Sequence, residues 1–119
     1  MKLTLAQTTT FASLWEHWRL SDDDLRALER QVMENSLAGK ILRNTGGVRK
    51  VRFAPASRGS GKSGAFRVCY FYFPAREIIF LVLTFPKNEQ PNLTAEQEKA
   101  CRMLARQLKL ELVHCHSSK

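Results

Sequence analysis

Residues 65–85, AFRVCYFYFPAREIIFLVLTF, contain two apolar runs separated by a Pro-Ala-Arg turn. The first run is rich in aromatic and β-branched residues, which favour strands, and the second is apolar on both faces, as a central strand is. The earlier run VRKVRF, residues 48–53, alternates in the manner of a further strand. Three successive strands of this kind predict an antiparallel meander.

Helical patterns lie on both sides of this strand region. A first helix is predicted by apolar residues at i, i+3, i+4 and i+7, whose aromatic stripe indicates core packing: Phe11, Leu14, Trp15 and Trp18. Ser21 is the expected N-cap of a second helix that opens with three aspartates at its positive end. Thr94 and Gln97 have capping-box spacing before a third helix. Residues 109–115 fit either an extension of that helix or a strand.

With a short first strand over residues 3–9, the element order becomes β-α-α-β-β-β-α. The predicted fold class is α+β: a small curved antiparallel sheet with the helices packed on one face, forming one domain over residues 1–119. No apolar run approaches the roughly 20 residues that span a membrane, and the first residues lack the apolar stretch of a secretory signal. The expected location is the cytoplasm. The three cysteines are an odd number at wide spacing, which argues against a disulfide framework.

Two clusters resemble metal sites. The aspartates at residues 22–24 are explained by helix capping, and the triplet His114, Cys115 and His116 has no further ligand cluster to pair with. No metal is therefore expected.

The segment ASRGSGKS, residues 56–63, differs from a nucleotide-binding loop by one residue, Ala56, but a strand follows it where such a loop needs a helix. A strand motif of the RNA-recognition fold is matched only loosely, and that fold has another element order.

The net charge of +8 is concentrated in the middle of the chain. From Asn35 to Arg76 there is no acid, whereas the rest of the chain carries ten bases and eleven acids. The acid-free block contains nine bases: Lys40, Arg43, Arg49, Lys50, Arg52, Arg58, Lys62, Arg67 and Arg76. A surface of one sign indicates a polyanionic partner, and nucleic acid is the first candidate.

Strand alternation places Lys50 and Arg52 on one face of the sheet, and Arg49 on the other. A hairpin brings these residues near Arg67 on the next strand and near the connecting loop, which carries Arg58 and Lys62. The loop after the third strand adds Lys87. Such a cluster repels itself unless an anion binds in it. The alternative is that these cations point in different directions into water.

Four segments together resemble the RelE/HigB family of toxin–antitoxin toxins, and most closely its HigB-like branch: GGVRKVRF, GSGKSGAFRVCYFYF, FLVLTFPKNE and LTAEQEKACRMLARQL, within residues 46–108. The resemblance implies an endoribonuclease that cuts messenger RNA in the ribosomal decoding site, with contacts to 16S ribosomal RNA. It also implies a cognate antitoxin, often a helix-turn-helix protein, and no metal or nucleotide cofactor. In this chemistry the ribose 2′-hydroxyl attacks the adjacent phosphate, and basic side chains stabilise the charge that develops.

Carried over by resemblance, the catalytic residues are Lys50, Arg52, Lys62, Arg67 and Lys87, and the RNA-binding residues are Arg49, Arg58 and Tyr70. Arg67 and Lys87 would hold the scissile phosphate, and Lys50, Arg52 or Lys62 would activate or protonate oxygens. Tyr70 is equally consistent with an ordinary packed strand residue. Phe85 stands near a position where the family often has tyrosine, which leaves the general acid unassigned. The alternative function is a non-catalytic nucleic-acid-binding module.

Overall fold

The computed structural model describes residues 3–56, 65–90 and 92–117, with side chains as far as Glu111. The helices and strands are β1 (Thr4–Gln7), α1 (Thr9–His17), α2 (Asp22–Glu34), β2 (Lys40–Ile41), β3 (Arg49–Phe53), β4 (Phe66–Phe73), β5 (Ile78–Pro86) and α3 (Ala95–Ser117), with a turn of 3₁₀ helix at Pro74–Arg76 between β4 and β5. The predicted α+β class and the order of the long elements are confirmed. The segment after residue 108 continues α3 as a helix.

The five strands form one sheet in the order β1-β5-β4-β3-β2. Strands β2 to β5 are antiparallel to their neighbours, as the meander predicts, but β1 joins β5 in parallel. The all-antiparallel sheet is therefore wrong at one edge. The helices α1 and α2 lie between β1 and β5 in sequence, and a parallel pair needs a long connection of this kind. The two-residue strand β2 was not expected either, because it lies between Gly39 and the NTGG turn, which indicate a loop.

All three helices begin with side-chain caps. The Thr8 hydroxyl accepts a hydrogen bond from the N–H of Phe11 at the start of α1. Ser21 and Asp24 form a reciprocal capping box at α2, and Thr94 and Gln97 form another before α3. Each cap satisfies N–H groups that have no partner within the helix, a contribution of about 1 kcal/mol per cap. The predicted helix starts at Ser21 and Thr94 are confirmed.

Helices cover both faces of the sheet, so the prediction that all helices share one face is wrong. Phe11 and Trp15 of α1 and Leu28 of α2 pack with Phe66 and Val68 on one face, which we call the α1/α2 face. Cys101, Ala105 and Leu108 of α3 pack on the other face, the α3 face, against Cys69, Phe71 and Leu83. The periodicity of a helix identifies its apolar side but not the sheet face that receives it.

The α3 helix also contacts the connection between β2 and β3. Gly46 has a positive φ of 79°, and a Cβ there would lie 2.6 Å from the Cβ of Ala105. Arg102 donates to the carbonyl of Asn44 at 2.8 Å. These contacts place α3 over one end of its sheet face. Among the described residues, no helix is long and apolar enough to cross a membrane.

Candidate functional site

Arg52 and Arg67 are directly opposite each other on β3 and β4, and Arg67 is directly opposite Phe85 on β5. Directly opposite residues share a sheet face with Cβ atoms about 4.5–5.5 Å apart. Arg52 is exposed and Arg67 half-buried, whereas Phe85 is only 5% exposed. The two arginine side chains therefore leave the sheet from neighbouring positions on one face, beside the buried Phe85.

Lys50 belongs to the neighbouring row of the same face. It is directly opposite Cys69, which packs with α3, and it is itself half-buried. The predicted alternation is confirmed: Lys50 shares the α3 face with Arg52, and Arg49 lies on the α1/α2 face opposite Tyr70.

Lys40 was not predicted as a site residue, yet it is directly opposite Lys50 on β2. Lys40 is exposed and extends the row of cations to the edge of the sheet. It appeared in the acid-free block, but a strand of two residues gives no alternation signal in the sequence. Only the register of β2 against β3 reveals which face it occupies.

Lys87 follows the end of β5 at the same side of the sheet. Its N–H donates to the carbonyl of Ala65 at 3.2 Å, which extends the β4–β5 pairing one residue beyond Pro86. Alternation from Phe85 then gives Lys87 the same face as Arg67. We call the set Lys40, Lys50, Arg52, Arg67 and Lys87 the cationic surface.

The cationic surface is not neutralised within the described part of the chain. The one ion pair there joins Arg26 and Asp23 on α2, away from this surface. No carboxylate or imidazole is in register with the cations in the strands that carry them. Like charges directly opposite one another in a sheet destabilise it, by about 0.2–1 kcal/mol per pair. An arrangement of this kind is stabilised when a polyanion supplies the missing charge.

Cys69 is an inert neighbour of Lys50 rather than a nucleophile. The pKa of the Cys69 thiol is raised from its ordinary value of 9.0 to about 12, mainly by burial and in part by the nearby Cys101, while the charge of Lys50 opposes the shift. Because the thiolate is the reactive form of cysteine, this thiol is protonated and unreactive near neutral pH. Burial likewise raises the pKa of Cys101.

Tyr70 does not face the cationic surface. Its side chain is fully buried on the α1/α2 face, where its hydroxyl donates to the carbonyl of Ser36 at 2.8 Å and accepts from the N–H of Gly39 at 3.2 Å. The expectation that Tyr70 contacts RNA does not fit this geometry, and the packed-residue alternative does. Burial raises the pKa of the Tyr70 hydroxyl, opposed by the Gly39 hydrogen bond and by Arg49.

Arg49 is directed away from the cationic surface as well. Its guanidinium donates to the carbonyl of Gly39 at 2.8 Å and to that of Leu37 at 3.3 Å. These two bonds hold the connection from α2 to β2. Arg58 and Lys62, the other two predicted residues, lie outside the described residues, in the segment that connects β3 to β4.

The fold and the site together define a class: a small α+β protein whose sheet presents basic side chains beside a covering C-terminal helix. A family model described as the RelE toxin of the RelE/RelB toxin–antitoxin system matches residues 4–113. The chain belongs to this RelE toxin family. It is thus a toxin of a toxin–antitoxin system, and family membership implies an antitoxin partner.

A solved structure with the same fold is that of the E. coli toxin RelE, as a mutant with two arginines replaced by alanine, in the free state. It is 18% identical to this chain, with a TM-score of 0.51, and the match covers 76% of this chain and 90% of that one. At this identity the likeness supports the fold. Toxins of the RelE family are known ribonucleases.

Proposed function

We propose that this toxin cleaves messenger RNA on the ribosome, with the cationic surface binding the RNA at the cut. The observation that carries the proposal is the pair Arg52 and Arg67, directly opposite one another on the α3 face, with Arg52 exposed, Arg67 half-buried and no carboxylate in register. Paired guanidinium groups match the oxygens of one phosphate, since each offers a planar fork of donors.

The chemistry requires an attacking group, a stabilised phosphate and a proton for the leaving oxygen. The ribose 2′-hydroxyl gives up its proton as its oxygen attacks the phosphorus, the bond to the 5′-oxygen breaks, and that oxygen takes up a proton. The products are a 2′,3′-cyclic phosphate and a 5′-hydroxyl end. Arg67, Arg52 and Lys87 stabilise the negative charge that builds on the phosphate, and Lys50 assists at the 2′-oxygen. Positioning and charge stabilisation can supply most of the rate in such a reaction.

The proposal also covers the branch of the family, the partners of the toxin and its location in the cell. We place the chain in the HigB-like branch on the segments quoted above, with a helix-turn-helix antitoxin, contacts to 16S ribosomal RNA and a cytoplasmic location. Lys62 in the β3–β4 connection remains a candidate for proton transfer, and Arg58 for guiding the RNA backbone.

The decisive experiment is cleavage of ribosome-bound messenger RNA by the purified toxin. Arg67→Ala is expected to lower the cleavage rate by about 10²–10³-fold, as for loss of one donor to a transition-state oxyanion. Arg30→Ala is the matched control, because Arg30 is an exposed arginine on α2 and the loss of charge is the same. Equal rates for the two variants would refute the assignment of Arg67.

A second candidate is a module that binds RNA without cutting it. Phe85 favours this alternative, because the residue beside Arg67 has no proton to donate. Neither Tyr70 nor Tyr72 supplies one, since both pack with the core of the α1/α2 face. Ribosome-bound messenger RNA that is protected but never cut by the wild-type protein would establish this alternative.

A further inference from the structure

Lys40 is the member of the cationic surface to which the proposed chemical step assigns no role. It lies on β2, one strand beyond Lys50 and two strands from Arg67. Neighbouring strands are about 4.8 Å apart and each strand residue rises about 3.4 Å, so two strands across and two residues along put the backbones of Lys40 and Arg67 about 12 Å apart. A lysine at that distance from a phosphate held at Arg67 is suited to the neighbouring nucleotide rather than to the reacting one.

The placement of Lys40 is fixed by its neighbours rather than by a long strand. Gly39 donates its N–H to the Tyr70 hydroxyl, and its carbonyl accepts from Arg49. Tyr70 also donates to Ser36, so one buried side chain on β4 holds the chain on both sides of Leu37. There is no space for a larger residue, since a Cβ at position 39 would lie 2.7 Å from the Tyr70 hydroxyl oxygen.

These contacts orient β2. The pairing of Lys40 with Lys50 rests on only two residues, and a two-residue strand has little stability of its own. The bonds to Tyr70 and Arg49 attach the segment to the central sheet from the α1/α2 face. Lys40 can then extend from the α3 face, beside Lys50, despite the like charge there.

We propose that Lys40 binds the phosphate of a nucleotide flanking the cleavage site, and that Tyr70 is the positioning residue that holds it there. The inference rests on the proposed function, and it extends the RNA contact to the β2 edge of the sheet. Lys40 contributes to RNA affinity, and Arg67 contributes to the rate of the chemical step.

The first test is binding of a single-stranded RNA whose 2′-hydroxyls are all methylated, so that it cannot be cleaved, at a series of salt concentrations. Loss of one phosphate contact lowers the slope of log K against log salt by about 0.7. Lys40→Ala is expected to show this decrease, and Lys40→Arg to keep the wild-type slope. Lys99→Ala is the control, because Lys99 is an exposed lysine on α3.

The second test separates affinity from chemistry on ribosome-bound messenger RNA. Lys40→Ala should raise the half-saturating toxin concentration more than it lowers the plateau rate, and Arg67→Ala should do the reverse. Tyr70→Phe should shift both readouts in the direction of Lys40→Ala, and it should add little in a Lys40→Ala background. If Tyr70→Phe folds and its full effect adds to that of Lys40→Ala in the double variant, the positioning role of Tyr70 is refuted.

Lys40→Ala behaving as Lys99→Ala does in both tests would overturn the inference while leaving cleavage by Arg67 intact. RNA that is bound through Lys40 but never cut on ribosomes would instead refute the proposed cleavage and retain the Lys40 contact. The two failures are thus distinguishable.

Discussion

The hydroxyl of Tyr70 on β4 accepts a hydrogen bond of 3.2 Å from the N–H of Gly39, 31 residues earlier in the chain. Tyr70 is fully buried, and the same hydroxyl donates to Ser36. One side chain thus joins the central strand to the segment that leads into the edge strand β2. The bond connects the core on one face of the sheet with the position of a basic residue on the other.

Removing this hydroxyl should destabilise the fold. Tyr70→Phe leaves the buried N–H of Gly39 and the carbonyl of Ser36 without their partner, at an expected cost of about 1–3 kcal/mol in the free energy of unfolding. Urea denaturation measures this. Tyr72→Phe is the matched control, because no hydrogen bond of the Tyr72 hydroxyl is found among the described residues, and its cost should be near zero. Equal costs would contradict the role assigned to Tyr70.

Gly39 should be intolerant of a side chain because of the same close approach. The Cβ of Gly39→Ala would lie 2.7 Å from the Tyr70 hydroxyl oxygen and 2.8 Å from the Cβ of Arg49. Overpacking of this kind costs about 1–3 kcal/mol. The double variant Gly39→Ala with Tyr70→Phe should cost less than the sum of the single variants, since both disturb one contact. Additive costs in urea denaturation would show that the two residues do not interact.

The pair Arg52 and Arg67 should lower stability where it promotes function. Replacing one of two like charges that are directly opposite in a sheet removes repulsion of about 0.2–1 kcal/mol. Arg52→Gln is therefore expected to unfold at slightly higher urea concentration than the wild-type toxin, and to cleave RNA more slowly. The gain should diminish at high salt, which screens the repulsion. Arg30→Gln on α2 is the control, and an equal gain there would exclude repulsion at the cationic surface as the cause.

The buried thiol of Cys69 should make stability fall in alkaline solution. Its pKa is raised from 9.0 to about 12 in the folded chain, so its contribution is complete below pH 9 and is lost as the pH rises toward 12. The folded state holds a proton that the unfolded state releases, which lowers the free energy of unfolding by about 1.4 kcal/mol per pH unit in this range. Cys69→Ala should show a shallower fall between pH 9 and 11. Identical slopes for the two proteins would contradict the burial of this thiol.

The same burial predicts slow chemical modification. At pH 8 an alkylating reagent should react with Cys69 of the folded toxin far more slowly than with the same cysteine in urea, because the reagent needs an accessible thiolate. Mass spectrometry of peptides after timed labelling measures both rates. Rapid labelling of Cys69 in the folded toxin would show that the α3 helix leaves the sheet face it covers.

Local patterns in the sequence determined the long strands and helices, the caps at Ser21 and Thr94, and the alternation that separates Lys50 and Arg52 from Arg49. These features depend on neighbouring residues, through periods of 2 and 3.6 and through hydrogen bonds over three residues. The acid-free block also indicated the basic region. The two-residue strand β2 gave no such pattern, so Lys40 was missed as a site residue.

Only the tertiary structure decided which sheet face each helix covers and which side chains on that face become buried. Alternation groups residues on a face but does not tell which helix covers it, so the sequence left open whether Tyr70 is core or surface. Packing of α1 and α2 buries Tyr70, whereas on the other face α3 packs against the apolar residues and Lys40, Arg52 and Lys87 stay exposed. The parallel pairing of β1 with β5 joins residues that are far apart in the chain. Its stability comes from packing against other elements, which the residues near β1 in sequence do not reveal.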